Sequence, residues 1–176
     1  FQWTANYTFP DGDGGLLYIY GARGLRLTRI MADGSYPWGE AGIQIAEEYD
    51  YPIIRLCRDD GDGYFLAMRD RSNTIVIHRI SQDGEFQWEN PGELTPGERV
   101  NRAFRDIVSS DAGSAIIVCE DHLPDNEPEN FVRAVKVSGD EEMILNWEPE
   151  SGMITSRDSF GTIRTSSDGA GGIFSI

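Results

Sequence analysis

Asp60-Gly61-Asp62-Gly63-Tyr64-Phe65-Leu66-Ala67-Met68 sets an aspartate–glycine turn directly before a short apolar run. The chain uses this pairing four times. The turn stands at Asp11-Gly12-Asp13-Gly14, at Asp60-Gly61-Asp62-Gly63, in degraded form at Asp111-Ala112-Gly113-Ser114, and at Asp168-Gly169-Ala170-Gly171, giving steps of 49, 51 and 57 residues. Trp38, Trp88 and Trp147 keep the same rhythm, with steps of 50 and 59. Periods in this range mark supersecondary units that stack on their neighbours, because one unit cannot bury its apolar surface alone.

Laid on one another, the copies give a four-part unit. The first part leads into the turn: Tyr51-Pro-Ile-Ile-Arg-Leu-Cys-Arg58, Phe104-Arg-Asp-Ile-Val-Ser109 and Gly161-Thr-Ile-Arg-Thr-Ser166, with residues 1–9 in the first copy. The second part is the apolar run after it: Leu16-Leu-Tyr-Ile-Tyr20, Tyr64-Phe-Leu-Ala-Met68, Ala115-Ile-Ile-Val-Cys119 and Ile173-Phe-Ser-Ile176. A short continuous run between turn signals predicts a strand buried on both faces. The third part alternates and ends on a basic then a β-branched residue: Leu25 to Arg29-Ile30, Thr74 to Arg79-Ile80, and Phe131 to Lys136-Val137. A second acidic turn follows at Asp33-Gly34, Asp83-Gly84 and Gly139-Asp140, a hairpin signal that predicts type I′ geometry. The fourth part carries the tryptophan and then Gly42, Gly92 or Gly152. Its indole is expected to fill the wedge between units, with a partner for its N–H.

Strand, turn, strand, loop, strand, turn, strand describes a four-stranded antiparallel sheet. Sheets of this kind stacked radially bury both faces, which is the construction of a β-propeller blade. The expected fold is therefore all-β, a β-propeller of four-stranded antiparallel blades. About three and a half blades form an incomplete ring, with boundaries near 1–48, 49–102, 103–157 and 158–176. The region reads as one β-propeller stretch belonging to a longer propeller. Alternatives are pairing of two copies through the open fourth-blade edge, and an open sandwich or solenoid. The first residue is not Met and no charged-then-apolar leader precedes the repeats, which fits a processed chain or a piece of a longer one.

Composition narrows the partners. Fifteen Lys and Arg against thirty Asp and Glu give a formal net charge of −15. No basic face is left to displace counterions from nucleic acid, or to meet an anionic membrane. No stretch reaches the ~20 apolar residues of a membrane helix. The two cysteines, Cys57 and Cys119, fall in different units and are expected as buried thiols.

The pattern of DGxGG, apolar strand, Arg before a β-branched residue, then Asp-Gly, three residues, Trp, resembles the propeller repeats of secreted bacterial surface proteins. It covers nearly the whole chain. The resemblance implies an extracellular or cell-surface location and a scaffolding or binding role, with a protein or carbohydrate ligand, and it carries over no catalytic residue. The Trp segment is similar to quinoprotein-type blades without their Thr-Gly or any cofactor signature. The Asp-rich turns are similar to integrin-type calcium loops without the later Asp.

Chemistry-bearing residues are scattered. Two or three carboxylates at Asp11-Gly-Asp13 or Asp59-Asp-Gly-Asp62 fall short of the ~6–8 oxygens around Ca²⁺, so these read as turns and no metal or cofactor is assigned. His78 and His122 stand alone, without zinc spacing. Glu120-Asp121 are strand neighbours and are expected to point to opposite faces. Asn6-Tyr7-Thr8 matches a glycosylation acceptor. The insertion His122-Leu-Pro-Asp-Asn-Glu-Pro-Glu-Asn130 lengthens the third unit, and insertions in repeats often map to the binding face. Three functions follow: a secreted or surface scaffold or binding module without catalysis here; a polysaccharide hydrolase or lyase using Arg55, Arg58, Arg105, Asp106 and Arg164 of the first strands in a central channel; or a structural subunit of an extracellular assembly.

Overall fold

Apolar runs bounded by glycine turns can satisfy their backbone only by pairing sideways, and the chain does so in regular antiparallel meanders. The computed structural model describes residues 5–21, 24–48, 51, 53–59, 63–96, 101–111, 113–122, 130–139, 153–157, 165–167 and 173–175. Strands β1 (Ala5–Pro10), β2 (Leu16–Gly21), β3 (Leu25–Ile30) and β4 (Ile43–Ala46) form the first sheet in that order. The second holds β5 (Ile53–Asp59), β6 (Gly63–Arg69), β7 (Ile75–Ser81) and β8 (Gly92–Leu94). The third holds β9 (Asn101–Ser109), β10 (Ser114–His122), β11 (Asn130–Ser138) and β12 (Met153–Arg157), and a hairpin of β13 (Thr165–Ser167) and β14 (Ile173–Ser175) follows. The fold is all-β, as the repeat implies, and each sheet is open rather than closed on itself.

Pairing fixes which residues are equivalent. Leu17 faces Arg29, Phe65 faces Arg79 and Ile116 faces Lys136. The equivalent turn positions are therefore Asp11, Asp59 and Ser110, not the Asp-Gly pairs that align by eye. The aspartate that matters in the second unit is the one before Asp60.

The middle strands have two buried faces. From Gly63 to Met68 every residue of β6 is buried, and β10 is buried from Ser114 to Asp121. One face of the second sheet (Tyr64, Leu66, Met68) joins Leu17, Ile19 and Leu27 of the first in a common core. Its other face (Phe65, Ala67, Ile77) joins Phe104, Ile117 and Val135 of the third. The first strand of the third sheet approaches two others, with β9 beside both β5 and β13.

The indole expected in the wedge is there. Trp38 Nε1 donates to the Gln82 carbonyl of the next sheet at 2.7 Å, and its ring stands edge-on to Tyr64 at 5.9 Å. Trp88 lies tilted 6.1 Å from Phe65. Trp147 falls outside the described residues. The second turns are not type I′. Gly34 and Gly84 have φ of +83° and +85°, while Asp33 and Asp83 keep negative φ. Each turn closes over one more residue, with Gly34 N–H bonded to Met31 O and Met31 N–H to Ser35 O, so only one position must be left-handed. The insertion also differs from a plain loop, because His122 pairs with Asn130 and extends both strands to nine residues.

A Cβ at Gly84 would stand 2.8 Å from the Trp38 ring, whereas one at Gly34 meets nothing within 4 Å. Gly34→Ala should cost about 1 kcal/mol from its φ alone. Gly84→Ala should cost roughly 1–3 kcal/mol more through overpacking. Urea midpoints of the two variants, compared at equal slope, check this; equal losses would mean that Trp38 does not rest on that turn.

Candidate functional site

The repeat brings together two residue types that the sequence reading kept apart: the turn aspartate and the basic end of the third strand. Asp11 is fully buried. Its Oδ1 accepts the Asp13 and Gly15 N–H groups, each at 2.8 Å, and its Oδ2 accepts Arg29 Nε at 3.0 Å. Burial pushes the Asp11 carboxyl up, but these hydrogen bonds and the Arg29 charge outweigh it and hold it below the ordinary value. Asp59, also fully buried, accepts Arg79 Nη2 at 2.7 Å and Nε at 2.9 Å.

These pairs also fasten sheet to sheet. Asp59 Oδ1 accepts the Gly113 N–H of the third sheet at 3.1 Å, and Arg79 Nη1 donates to the Gly139 carbonyl there. At the first junction Arg58 donates to Asp13 at 3.0 Å, and the Arg29 guanidinium lies over the Tyr64 ring. The third unit has Ser110 in the aspartate's place. Lys136 reaches Asp111 instead, an exposed pair at 2.7 Å. The sequence carried a signal for this latch, since an acidic turn residue and a basic strand end recur in the same order in each unit.

A second charged group lies at the opposite end of the third sheet. Asp121 takes Arg102 through both oxygens, at 2.6 and 3.0 Å, and Arg133 Nε at 3.0 Å. Burial would raise its carboxyl, and the two guanidinium groups more than reverse that. Glu120 points to the other face, where it takes Arg105 Nε at 2.8 Å and lies 3.5 Å from His122 Nε2. The register of β9 against β10 shifts between Val118 and Cys119, which leaves Arg105 as the extra residue on β9. Asp106 accepts Thr165 Oγ1 at 2.8 Å.

The four described residues named for a channel do not share one site. Arg55 bonds its neighbour's carbonyl, that of Ile54; Arg58 goes to the first sheet; Arg105 bonds Glu120 of its own sheet, and Asp106 accepts from Thr165 of β13. Arg164 lies outside the described residues, as do Asp60, Asp62 and Asp168. Asn6 Oδ1 accepts the Tyr18 hydroxyl at an exposed site. Cys119 is a buried free thiol, and burial pushes it up to about 12, whereas Cys57, expected to be buried, is only half-buried.

One cavity opens on the surface where the first two sheets meet. It measures about 380 Å³, and Ile45, Glu47, His78, Phe86, Trp88 and Glu89 contribute to its walls. The His78 ring lies 5.1 Å from Phe86, and burial lowers its pKa to about 4. Sequence reading set His78 aside as a lone histidine, and it had no signal for the cavity, which depends on outer strands from two units. Compared with protein-family models, curated proteins and solved structures, the chain matches none.

Asp59→Ala should destabilise by about 1.5–3 kcal/mol, because the half-buried Arg79 and the Gly113 N–H lose their charged partner. Asp111→Ala should leave the denaturation midpoint nearly unchanged; a comparable loss at both sites would refute the latch.

The pH dependence has two windows. His78 has a folded pKa near 4 against 6.5 unfolded, so the unfolded chain binds the proton first. Its contribution is complete above pH 6.5 and is lost as pH falls toward 4. Asp11 and Asp121, both lowered from 3.8, lose theirs only below that value. Denaturant titrations from pH 7 to 3 should show both declines, and His78→Gln should flatten only the upper one.

Proposed function

We propose that the chain is a run of β-propeller blades that acts as a secreted or cell-surface binding scaffold, without catalysis in this stretch. The observation that carries this reading is the latch. Asp59 and Arg79 belong to one sheet and bond the backbone of the next at Gly113 and Gly139. The same register recurs at Asp11 and Arg29.

Three further features support radial stacking. The four-stranded meander occurs three times, each of the two junctions between these sheets has its own core, and β9 runs beside both β5 and β13. The charged groups that an enzyme would need are engaged in fastening strands: Asp121 with Arg102 and Arg133, Glu120 with Arg105. The location rests on the resemblance to repeats of secreted bacterial proteins.

The hydrolase or lyase reading draws on one place, the face of the third sheet where Glu120, Arg105, His122 and Asp106 gather beside Thr165. Screening the purified chain on arrays of polysaccharides and extracellular peptides separates the two readings. The scaffold predicts saturable binding with the ligand's mass unchanged. Cleavage of a polysaccharide that disappears in Asp106→Asn or Glu120→Gln would replace it with the enzyme.

A further inference from the structure

The cavity between the first two sheets coincides with a departure from the repeat. Leu25 faces Ala46 in the first sheet and Ile75 faces Leu94 in the second, but the register of β4 shifts between Leu25 and Arg26, and the buried core residue there is Ile45. Arg79 and Lys136 are equivalent, so His78 occupies the place of Val135. At the next junction Leu94 and Val135 belong to the shared core. At this junction Ile45 belongs to the core, and Ala46 and His78 stand on the walls of a cavity open to solvent.

The walls carry a charge bias. Glu47 and Glu89 are both lining residues, and no lysine or arginine stands among the described lining residues. Phe86 is 41% exposed, one of the few large apolar side chains in that state, and it stands beside Trp88 and His78 at the same opening. His78 is neutral near pH 7, so it does not offset the carboxylates. An anion would be repelled. A neutral apolar ligand would strip water from two carboxylates without return. Ring faces flanked by carboxylates suit a cation with an apolar shell, held by cation–π and Coulomb attraction together. A volume of about 380 Å³ lies in the range of small-ligand sites.

We propose that this cavity binds a small organic cation, an alkylammonium group whose charge lies between Glu47 and Glu89 and whose carbon shell rests on Phe86. This names a ligand class for the binding role proposed above and rests on that reading.

The test is titration of the whole chain with choline, followed through amide shifts of Ile45, Glu47 and Phe86. The neutral isostere 3,3-dimethylbutan-1-ol serves as control, and N-acetyl-lysine amide asks whether a polypeptide side chain serves equally. Choline should bind about tenfold more tightly than the isostere. Glu47→Gln with Glu89→Gln should remove that preference. Ala46→Leu enlarges a residue on the cavity wall, so it should abolish binding while leaving the urea midpoint nearly unchanged. Tighter binding of N-acetyl-lysine amide than of choline would assign the site to a protein side chain within the same chemistry. Equal binding of the isostere, indifference to Ala46→Leu, or no shift with either cation would overturn the proposal. These outcomes are separate from those of the array: cleavage of a polysaccharide with choline still bound would remove the scaffold and keep the cavity, and array binding without choline binding would do the reverse.

Discussion

A four-stranded sheet whose second strand is apolar on both faces has no stable existence in water by itself. Every other feature of this chain follows from that constraint. Tyr64, Leu66 and Met68 need a neighbour on one side, while Phe65 and Ala67 need one on the other. Hydrophobic contact supplies most of the attraction but no register, since apolar surfaces slide. Register comes from the polar latch. A carboxylate that holds its own turn and an arginine that reaches the neighbour's backbone can be satisfied in one alignment only, and a buried charge out of alignment is strongly unfavourable.

The latch grades along the chain. At Asp11 and Asp59 the carboxylate is fully buried and bonded several times, and at Ser110 it is gone. The third sheet compensates with length and with a different charged group. Its strands β9, β10 and β11 run nine residues each, and their far ends are joined by Arg102, Asp121 and Arg133. The fastening has moved from one end of the sheet to the other.

Much of the fold was legible. Period, turn residues and the change from continuous to alternating runs placed the strands of three sheets to within a few residues, because backbone pairing follows local pattern. The Trp38 wedge was legible for the same reason, since a bulky residue at a fixed step needs a fixed hole. The latch was half legible. Its residues were visible as Asp-Gly and Arg-Ile, but the turn copies aligned Asp60 with Asp11, and only strand pairing identifies Asp59 as the equivalent. The cavity was not legible at all. Ala46 and His78 look ordinary in sequence, and only the packing of two units brings them to one cavity. Nor did proximity of charges along the chain predict convergence, as Arg55, Arg58 and Arg105 go to three different partners.

The sharing of cores between successive sheets has a consequence for synthesis. On a ribosome a finished sheet buries its backward face at once, while its forward face waits for the next unit. Ile117 and Val135 are the cover for Phe65 and Ala67, and they emerge about 50 to 70 residues later. At about 5–20 residues per second that wait is roughly 3–14 seconds. During it the nascent chain presents a flat apolar sheet, and the buried aspartate of its latch faces water. A carboxylate at the rim of that face is a deterrent to the wrong neighbour, because a foreign strand that covers it without an arginine or a free N–H must bury the charge unpaired.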